Sequence, residues 1–394
     1  MAVEGAKQIK EVKGLLYTAD YEFRPGRIRI EGDRIAEVDF CTKGELSEAE
    51  RGMLVLPGLV DIHFHGAAGY DFCDGTQEAY RAIEAYENSH GITSICPATM
   101  TLPVEQLKQI LTEVSEDKPD SLVGVHLEGP FINKAKKGAQ KEEYVIPPNA
   151  EVLKELQKCA KGLVKLVSIA PETEGAIDCI RELGNEFHFS VAHTMSDYDT
   201  AVKAIQAGAK HITHLYNAMP IPTHREPAVV GAAADDPEVM PELICDGIHI
   251  HPCMVRNTFR LFGAHRMILI SDSMRAVGME DGQYTLGGQE VTVRGALATL
   301  ADGTIAGSAT NLYDCMCKAV EMGIPKEQAI RAATINPAVS IGASDEVGSL
   351  EAGRCPKFVS YGFRVFVCIQ TTKICLCCRR EFRSMCQTRH VSEK

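Results

Sequence analysis

The sequence predicts an α/β protein built on a parallel (β/α)8 barrel, and three observations carry that expectation. Eight short apolar runs recur along the 394-residue chain, near 54–63, 93–99, 122–128, 163–170, 187–193, 211–214, 242–248 and 267–272. Most intervals between them hold helical periodicity, as in Pro103-Val104-Glu105-Gln106-Leu107-Lys108-Gln109-Ile110-Leu111, and strands alternating with helices imply parallel strands joined by crossovers. Acidic and imidazole residues stand just after several of the runs, and the strand ends of a parallel barrel converge on one face.

Before the runs begin, residues 7–53 read as short strands with turns. Arg27-Ile28-Arg29-Ile30, Glu31-Gly32-Asp33 and Arg34-Ile35-Ala36-Glu37-Val38 form a hairpin signature. The first run, Met53 to Ile62, leads into His63 and His65, whose i, i+2 spacing puts both rings on one side of an extended chain. Later runs lead in the same way into Glu128, His193, His214 and Asp272. Helical stretches near 309–322 and 326–340 would close the barrel, which at about 250 residues counts as one domain. Gly287-Gly288 marks a turn, and no glycine-rich phosphate loop of either common type is present.

A single histidine beside an apolar strand is more often a packed residue than a ligand, and Asp272 by itself could be a strand-end cap. The conjunction of six such residues at strand ends points instead to a shared metal centre. Imidazole nitrogen mixed with carboxylate oxygen suits zinc and hard divalent ions, with a position left for water when the site is catalytic. His126 and His188, inside the strands, are assigned to packing.

Composition narrows the partners. A formal net charge of −12 and a pI near 5.6 argue against nucleic acid or an anionic membrane as partner, so any anionic substrate must meet a local cation. No apolar leader follows Met1, and no run approaches the roughly eighteen apolar residues of a membrane span, so the expected location is cytoplasmic. There the fifteen cysteines would stay as thiols. Six of them lie from Cys355 onward, together with Arg379, Arg380, Arg383 and Arg389. A zinc or iron–sulfur site from Cys375, Cys377, Cys378, Cys386 and His390 is one reading of this tail, although the spacing matches no standard CxxC pairing.

Several motifs resemble a known family. His126-Leu127-Glu128-Gly129-Pro130-Phe131, Lys137-Gly138-Ala139, Ala192-His193-Thr194, His214-Leu215-Tyr216-Asn217-Ala218-Met219, His224-Arg225-Glu226-Pro227, Asp246-Gly247-Ile248-His249 and Ile270-Ser271-Asp272 occur in the order and spacing seen in N-acetylglucosamine-6-phosphate deacetylases of the amidohydrolase superfamily. The resemblance runs from the opening hairpin to about Gly353. It implies that Glu128, His193 and His214 hold a metal, that His63 and His65 preserve a pair that binds a second metal in some members, and that Asp272 is the acid/base. Where related amidohydrolases bridge two metals with a carboxylated lysine, this chain offers Glu128.

The resemblance further assigns substrate contacts to Ala139, Asn217, Ala218, Arg225, His249, Ile305, Ala306 and Gly307. From the residues alone, Arg225 could merely pair with Glu226, and Asn217 could be a turn residue. The implied organisation is a barrel over 54–343 and a small β-sandwich domain from 1–53 and 344–394, in a homodimer binding one or two divalent ions, zinc foremost, and a small phosphosugar. Another N-acyl sugar or a cyclic amide is the competing substrate class. A non-catalytic scaffold would show missing ligands, and none is missing.

The family pattern changes after Gly348-Ser349-Leu350-Glu351-Ala352-Gly353-Arg354, where an Ala-Asp-Phe-Val-like strand is usual and Cys355-Pro356-Lys357 follows instead. A reading-frame change after about residue 354 would explain this. Translating the other two frames of the source DNA tests it, and a continuation of that type in neither frame rules it out.

Overall fold

The computed structural model describes residues 11–361, 366–370 and 373–377. Eight parallel segments follow one another in the chain: Leu59–Asp61, Ile92–Ile95, Val125–Leu127, Val164–Ile169, His188–Val191, His211–Ile212, Met240–Ile244 and Ile268–Ile270. The last six form one sheet in chain order. The first two pair with each other, and parallel bridges from Ile95 to Leu122 and from Ala98 to His126 lead on to the third. From the eighth segment the backbone returns to the first, the Asp272 N–H donating to the His63 carbonyl at 2.9 Å and the His65 N–H to that of Ser273 at 2.7 Å. The parallel sheet is therefore curled, and the residues just beyond its strand ends meet.

Helices cover the outside of the curl because their apolar residues recur at helical spacing. Val104–Glu116 buries Leu107, Ile110, Leu111 and Val114 on a single stripe. Side-chain caps on Thr76, Asn149, Asp197 and Asn311 satisfy backbone donors where other helices begin. Covered on both faces, the strands carry continuous apolar runs rather than alternating ones. That is why they stood out in the sequence.

Two predicted stretches are divided. The run over 54–63 breaks at Gly58. Leu54–Pro57 joins a different sheet and Leu59–Asp61 begins the curl, so the boundary between the two sheets lies at Gly58 and not before residue 54. A Cβ on Gly58 would sit 1.9 Å from Thr93 Oγ1 and 2.7 Å from Thr93 Cγ2, and Thr93 is fully buried. Gly58→Ala is expected to destabilise the fold by about 1–3 kcal/mol through overpacking, read as a lowered midpoint in urea denaturation. The helical stretch over 326–340 is likewise two helices, Lys326–Ala332 and Ile335–Ser340. Thr334 leaves helical geometry, and Pro337 falls in the first turn of the second helix, where its missing N–H costs nothing.

The second sheet has seven strands, in the order 373–377, 366–370, 358–361, 54–57, 11–17, 23–31 and 34–40. Chain from both ends thus meets at Leu54–Pro57, which runs parallel to Glu11–Tyr17 and antiparallel to Phe358–Tyr361. The chain after Arg354 does supply strands, Phe358–Tyr361, Phe366–Gln370 and Lys373–Cys377, and Phe358 and Val359 are fully buried. Of the tail residues considered as a metal site, Cys375 and Cys377 lie on the strand Lys373–Cys377, while Cys378, Cys386 and His390 lie outside the described residues. No helix among the described residues is long and apolar enough to cross a membrane.

After the eighth curl strand comes an antiparallel insertion that the sequence reading did not foresee, Gly282–Leu286, Gln289–Arg294 and Leu297–Thr299. Its first turn is Gly287-Gly288, both residues at positive φ, as a two-residue hairpin requires. Gln289 Nε2 donates to the Ala139 carbonyl at 2.5 Å, tying the hairpin to the loop after the third strand.

Candidate metal centre

Glu128 follows its strand by one residue, and His193, His214 and Asp272 follow theirs by two. These last three have φ of 43°, 29° and 49°. Left-handed backbone costs a non-glycine residue about 1–2 kcal/mol, so three strand ends of the same curled sheet are held against local preference. Hydrogen bonds hold them: the Asn133 N–H to the His193 carbonyl at 2.9 Å, the His214 N–H to Glu242 Oε2 at 3.0 Å, and the Ser308 N–H to the Asp272 carbonyl. Such strain characteristically gathers at functional sites.

The four rings point one nitrogen each at Glu128. His63, His193 and His214 bring Nε2 to within 3.2, 3.1 and 3.1 Å of Glu128 Oε1, and His65 Nε2 lies 3.3 Å from Oε2. Two trios result, Glu128 with His193 and His214, and Glu128 with His63 and His65, each with its ligand atoms within 4.8 Å of one another. The opposite ring nitrogens explain the aim. His193 Nδ1 meets the Lys136 carbonyl at 2.8 Å and His65 Nδ1 the Ala98 carbonyl at 3.3 Å. A carbonyl only accepts, so in the neutral ring the proton sits on Nδ1 and Nε2 keeps its lone pair for a cation.

Electrostatics agree with this donor set. His65 is buried, which opposes charge, yet Asp272 and Glu128 raise its pKa to about 10. The carboxylates therefore call for positive charge at this spot. Burial pushes the Glu128 carboxyl up, and the His63, His193 and His214 rings more than reverse it, leaving it well below the usual range. His63 Nε2 is buried without a hydrogen-bond partner among the described residues. An orphaned lone pair among carboxylate and imidazole donors fits a divalent cation.

Two supporting residues escaped the sequence reading. Gln140 is buried. Its Oε1 accepts the Thr101 N–H at 2.6 Å, which obliges its amide nitrogen to face Glu128 Oε2, also at 2.6 Å. Glu242, fully buried, accepts from His63 Nδ1 at 2.9 Å. Its only sequence signal was an acid inside the apolar strand Met240–Ile244. His126, read as packing, is fully buried, bonded through Nε2 to Ser168 Oγ at 2.8 Å and set edge-on to the His63 ring.

Above the rings opens a cavity of about 290 Å³ with His65, Glu128, His193, His214 and Asp272 on its floor. Of the predicted substrate contacts, Ala139, Asn217, Ala218, His249, Ile305 and Gly307 lie on its wall. Ala306 is buried and not on the wall, and Arg225 stands exposed outside it, with no ion pair to Glu226 among the described residues. Among the described residues, the one lysine or arginine on the wall is Lys136. His249 donates from Nδ1 to Asp246 Oδ2 at 2.7 Å; burial opposes charge on the ring, and Asp246 raises its pKa overall. Asp272 Oδ1 lies 3.5 Å from His65 Nε2 and 3.9 Å from His63 Nε2. Burial raises its pKa, and the His65 and His63 rings lower it by more, so it is ionised at neutral pH.

A buried cation cage beside an ionised carboxylate and a wall of hydrogen-bonding groups is equipped for hydrolysis. The amidohydrolase family model matches residues 54–367, which hold both trios and Asp272. The chain belongs to the amidohydrolase family. Among similar family members, an N-acetylglucosamine-6-phosphate deacetylase of Bacillus subtilis (strain 168) is 41% identical over 270 residues, 66% of this chain and 68% of that one. An N-acetylgalactosamine-6-phosphate deacetylase of Escherichia coli O157:H7 is 33% identical, over 76% and 81% of the two chains. The solved structure of a mutant N-acetyl-D-glucosamine-6-phosphate deacetylase from Mycobacterium smegmatis, in complex with N-acetyl-D-glucosamine-6-phosphate, superposes with a TM-score of 0.87. It is 30% identical, with 93% of this amidohydrolase and 99% of that chain covered.

Proposed function

We propose that this amidohydrolase hydrolyses the acetamide of N-acetyl-D-glucosamine 6-phosphate to D-glucosamine 6-phosphate and acetate, in amino-sugar catabolism or cell-wall sugar recycling. The observation that carries the reading is the convergence of four imidazole nitrogens on Glu128 beside Asp272, at the floor of a cavity sized for a sugar. Glu128, His193 and His214 would hold one divalent ion, and His63 and His65 with Glu128 would hold a second. The nitrogen and oxygen donors favour zinc. Bound there, the ion lowers the pKa of water from about 15.7 toward 7 and so supplies a nucleophile at neutral pH.

The chain's own residues do the rest. Asp272 takes the proton of the attacking water and returns it to the departing amine nitrogen, one carboxylate serving both steps. His249, set by Asp246, donates to the acetyl oxygen as charge develops there. Asn217, Ala218, Ala139 and the stretch Ile305-Ala306-Gly307 orient the sugar. The curled sheet serves as a (β/α)8 barrel, and the seven-stranded sheet as part of a small β-sandwich domain built from both ends of the chain. The protein works in the cytoplasm as a homodimer, in which Arg225, exposed on its own chain, reaches the phosphate in the neighbouring cavity while Lys136 faces it from within.

Release of free amine tests the substrate. N-acetylglucosamine 6-phosphate should be turned over well and unphosphorylated N-acetylglucosamine poorly. Faster release from the galactosamine epimer would reassign the sugar, and release only from other acyl or cyclic amides would overturn the reading. Arg225→Ala should lower kcat/KM for the phosphosugar by about 30- to 1000-fold, the effect of removing a desolvated charge partner of roughly 2–4 kcal/mol, and barely change it for the unphosphorylated sugar. If only Lys136→Ala has that effect, the phosphate is read from within one chain.

A further inference from the structure

We infer that Glu242 is the positioning residue of the metal centre, one carboxylate that sets the tautomer of His63 and pins the backbone of His214 while touching neither ion nor substrate. The inference rests on the metal reading above. Glu242 lies mid-strand in Met240–Ile244 and is fully buried, with no lysine or arginine among the described residues paired to it. Instead, N–H groups surround it. Oε2 accepts from His63 Nδ1 at 2.9 Å and from the His214 backbone N–H at 3.0 Å, and Oε1 accepts from His211 Nε2 at 2.9 Å.

Glu242, His63 and His126 could by distance form a third cation trio. The hydrogen bonds argue otherwise. Oε2 already serves the His214 amide, which cannot give up its proton. His63 has two nitrogens, and Nε2 faces Glu128 and its trio. A ring binding cations through both nitrogens would have to shed both protons. With Nε2 committed, Nδ1 must carry the proton, and only a fixed acceptor beside it keeps it there. Glu242 is that acceptor.

The same oxygen reaches the other trio. His214 is held at a φ of 29°, and its amide is the group Glu242 anchors. His63 from the first strand end and His214 from the sixth therefore depend on a single oxygen of the seventh strand. Outer groups of this kind commonly change metal affinity by 10–100-fold.

Glu242→Gln separates positioning from folding. The amide keeps the shape, its nitrogen facing His211, which exchanges tautomer, but its neutral oxygen holds the His63 Nδ1 proton and the His214 amide less firmly than the carboxylate does, because hydrogen bonds to a charged acceptor are roughly twice as strong. Metal-stripped protein is titrated with Zn2+ against a chromophoric chelator, and its melting temperature is measured without metal. Glu242→Gln should bind zinc about 10- to 100-fold more weakly, with the metal-free melting temperature close to wild type, and at saturating zinc KM should be unchanged. Equal zinc affinity overturns the inference, most plainly if the melting temperature falls, because Glu242 is then structural only. Should Glu242→Gln fail to fold, Glu242→Asp decides. It keeps the charge but is one methylene too short to serve His63 and His214 together, so its zinc affinity should also fall, and wild-type affinity overturns the inference. A wild-type protein that takes up no zinc refutes the metal reading and this inference with it, an outcome distinct from equal binding by wild type and variant.

Discussion

Replacing His193 or His214 with alanine should abolish zinc uptake at their trio and reduce deacetylation by several powers of ten. The two Nε2 atoms lie 3.1 Å from each other and 3.1 Å from Glu128 Oε1. Among the described residues neither ring has a substitute, because the other imidazoles that face Glu128, His63 and His65, already belong to the second trio. The kinetic loss is large because, without the ion, the ionised fraction of water at pH 7 falls by roughly 10⁸. Atomic emission on protein purified without added metal measures the first effect and amine release the second. His63→Ala should behave differently, sparing the ion at Glu128, His193 and His214. Full metal occupancy in both His193→Ala and His214→Ala would refute the ligand assignments, and equal loss in all three variants would mean that the trios fill only together.

The site was legible in the sequence to the extent that its residues mark strand ends. Parallel strands buried on both faces are written as uninterrupted apolar runs, so a histidine or acid just beyond one is conspicuous, and His63, His65, Glu128, His193, His214 and Asp272 do converge. The groups that aim them are inconspicuous. Glu242 lies within an apolar strand and Gln140 in a loop, and each matters through a partner distant in sequence, 179 residues away for Glu242 and His63. Nor does composition record backbone conformation: His193, His214 and Asp272 are not glycines, yet all three are left-handed.

Boundaries and surfaces followed the same logic. An apolar run does not say which sheet it joins, so the division at Gly58 needed the packing against Thr93 to become visible. The strands Gly282–Leu286 and Gln289–Arg294 have one exposed face and short apolar content, and only their Gly287-Gly288 turn could be read in advance. Arg225 belongs to a motif that implies substrate contact, and motif order carries no information about whose cavity the side chain enters. In the proposed homodimer, its exposed position makes that a question of which chain's cavity it faces.

Asp272→Asn should leave zinc binding largely intact while lowering kcat by at least about a hundredfold, since a positioned general acid/base contributes roughly 10²–10⁴. The backbone of Asp272 is fixed from several directions: its N–H donates to the His63 carbonyl, its carbonyl accepts from the Ser308 N–H, and a Cβ on Gly307 would come within 3.0 Å of that carbonyl. Asparagine preserves shape and hydrogen-bonding reach but neither accepts nor returns a proton at neutral pH. Asp272 belongs to neither trio that gathers on Glu128, so removing its charge should spare the ion. The loss should therefore appear in kcat and kcat/KM together, with KM little changed, the pattern of an interaction made in the transition state. Near-normal turnover would remove Asp272 from the chemistry. Loss of zinc from the Asp272→Asn protein would place the carboxylate among the ligands instead, and the proton transfers would then need another carrier, for which His249 on the cavity wall is a titratable candidate.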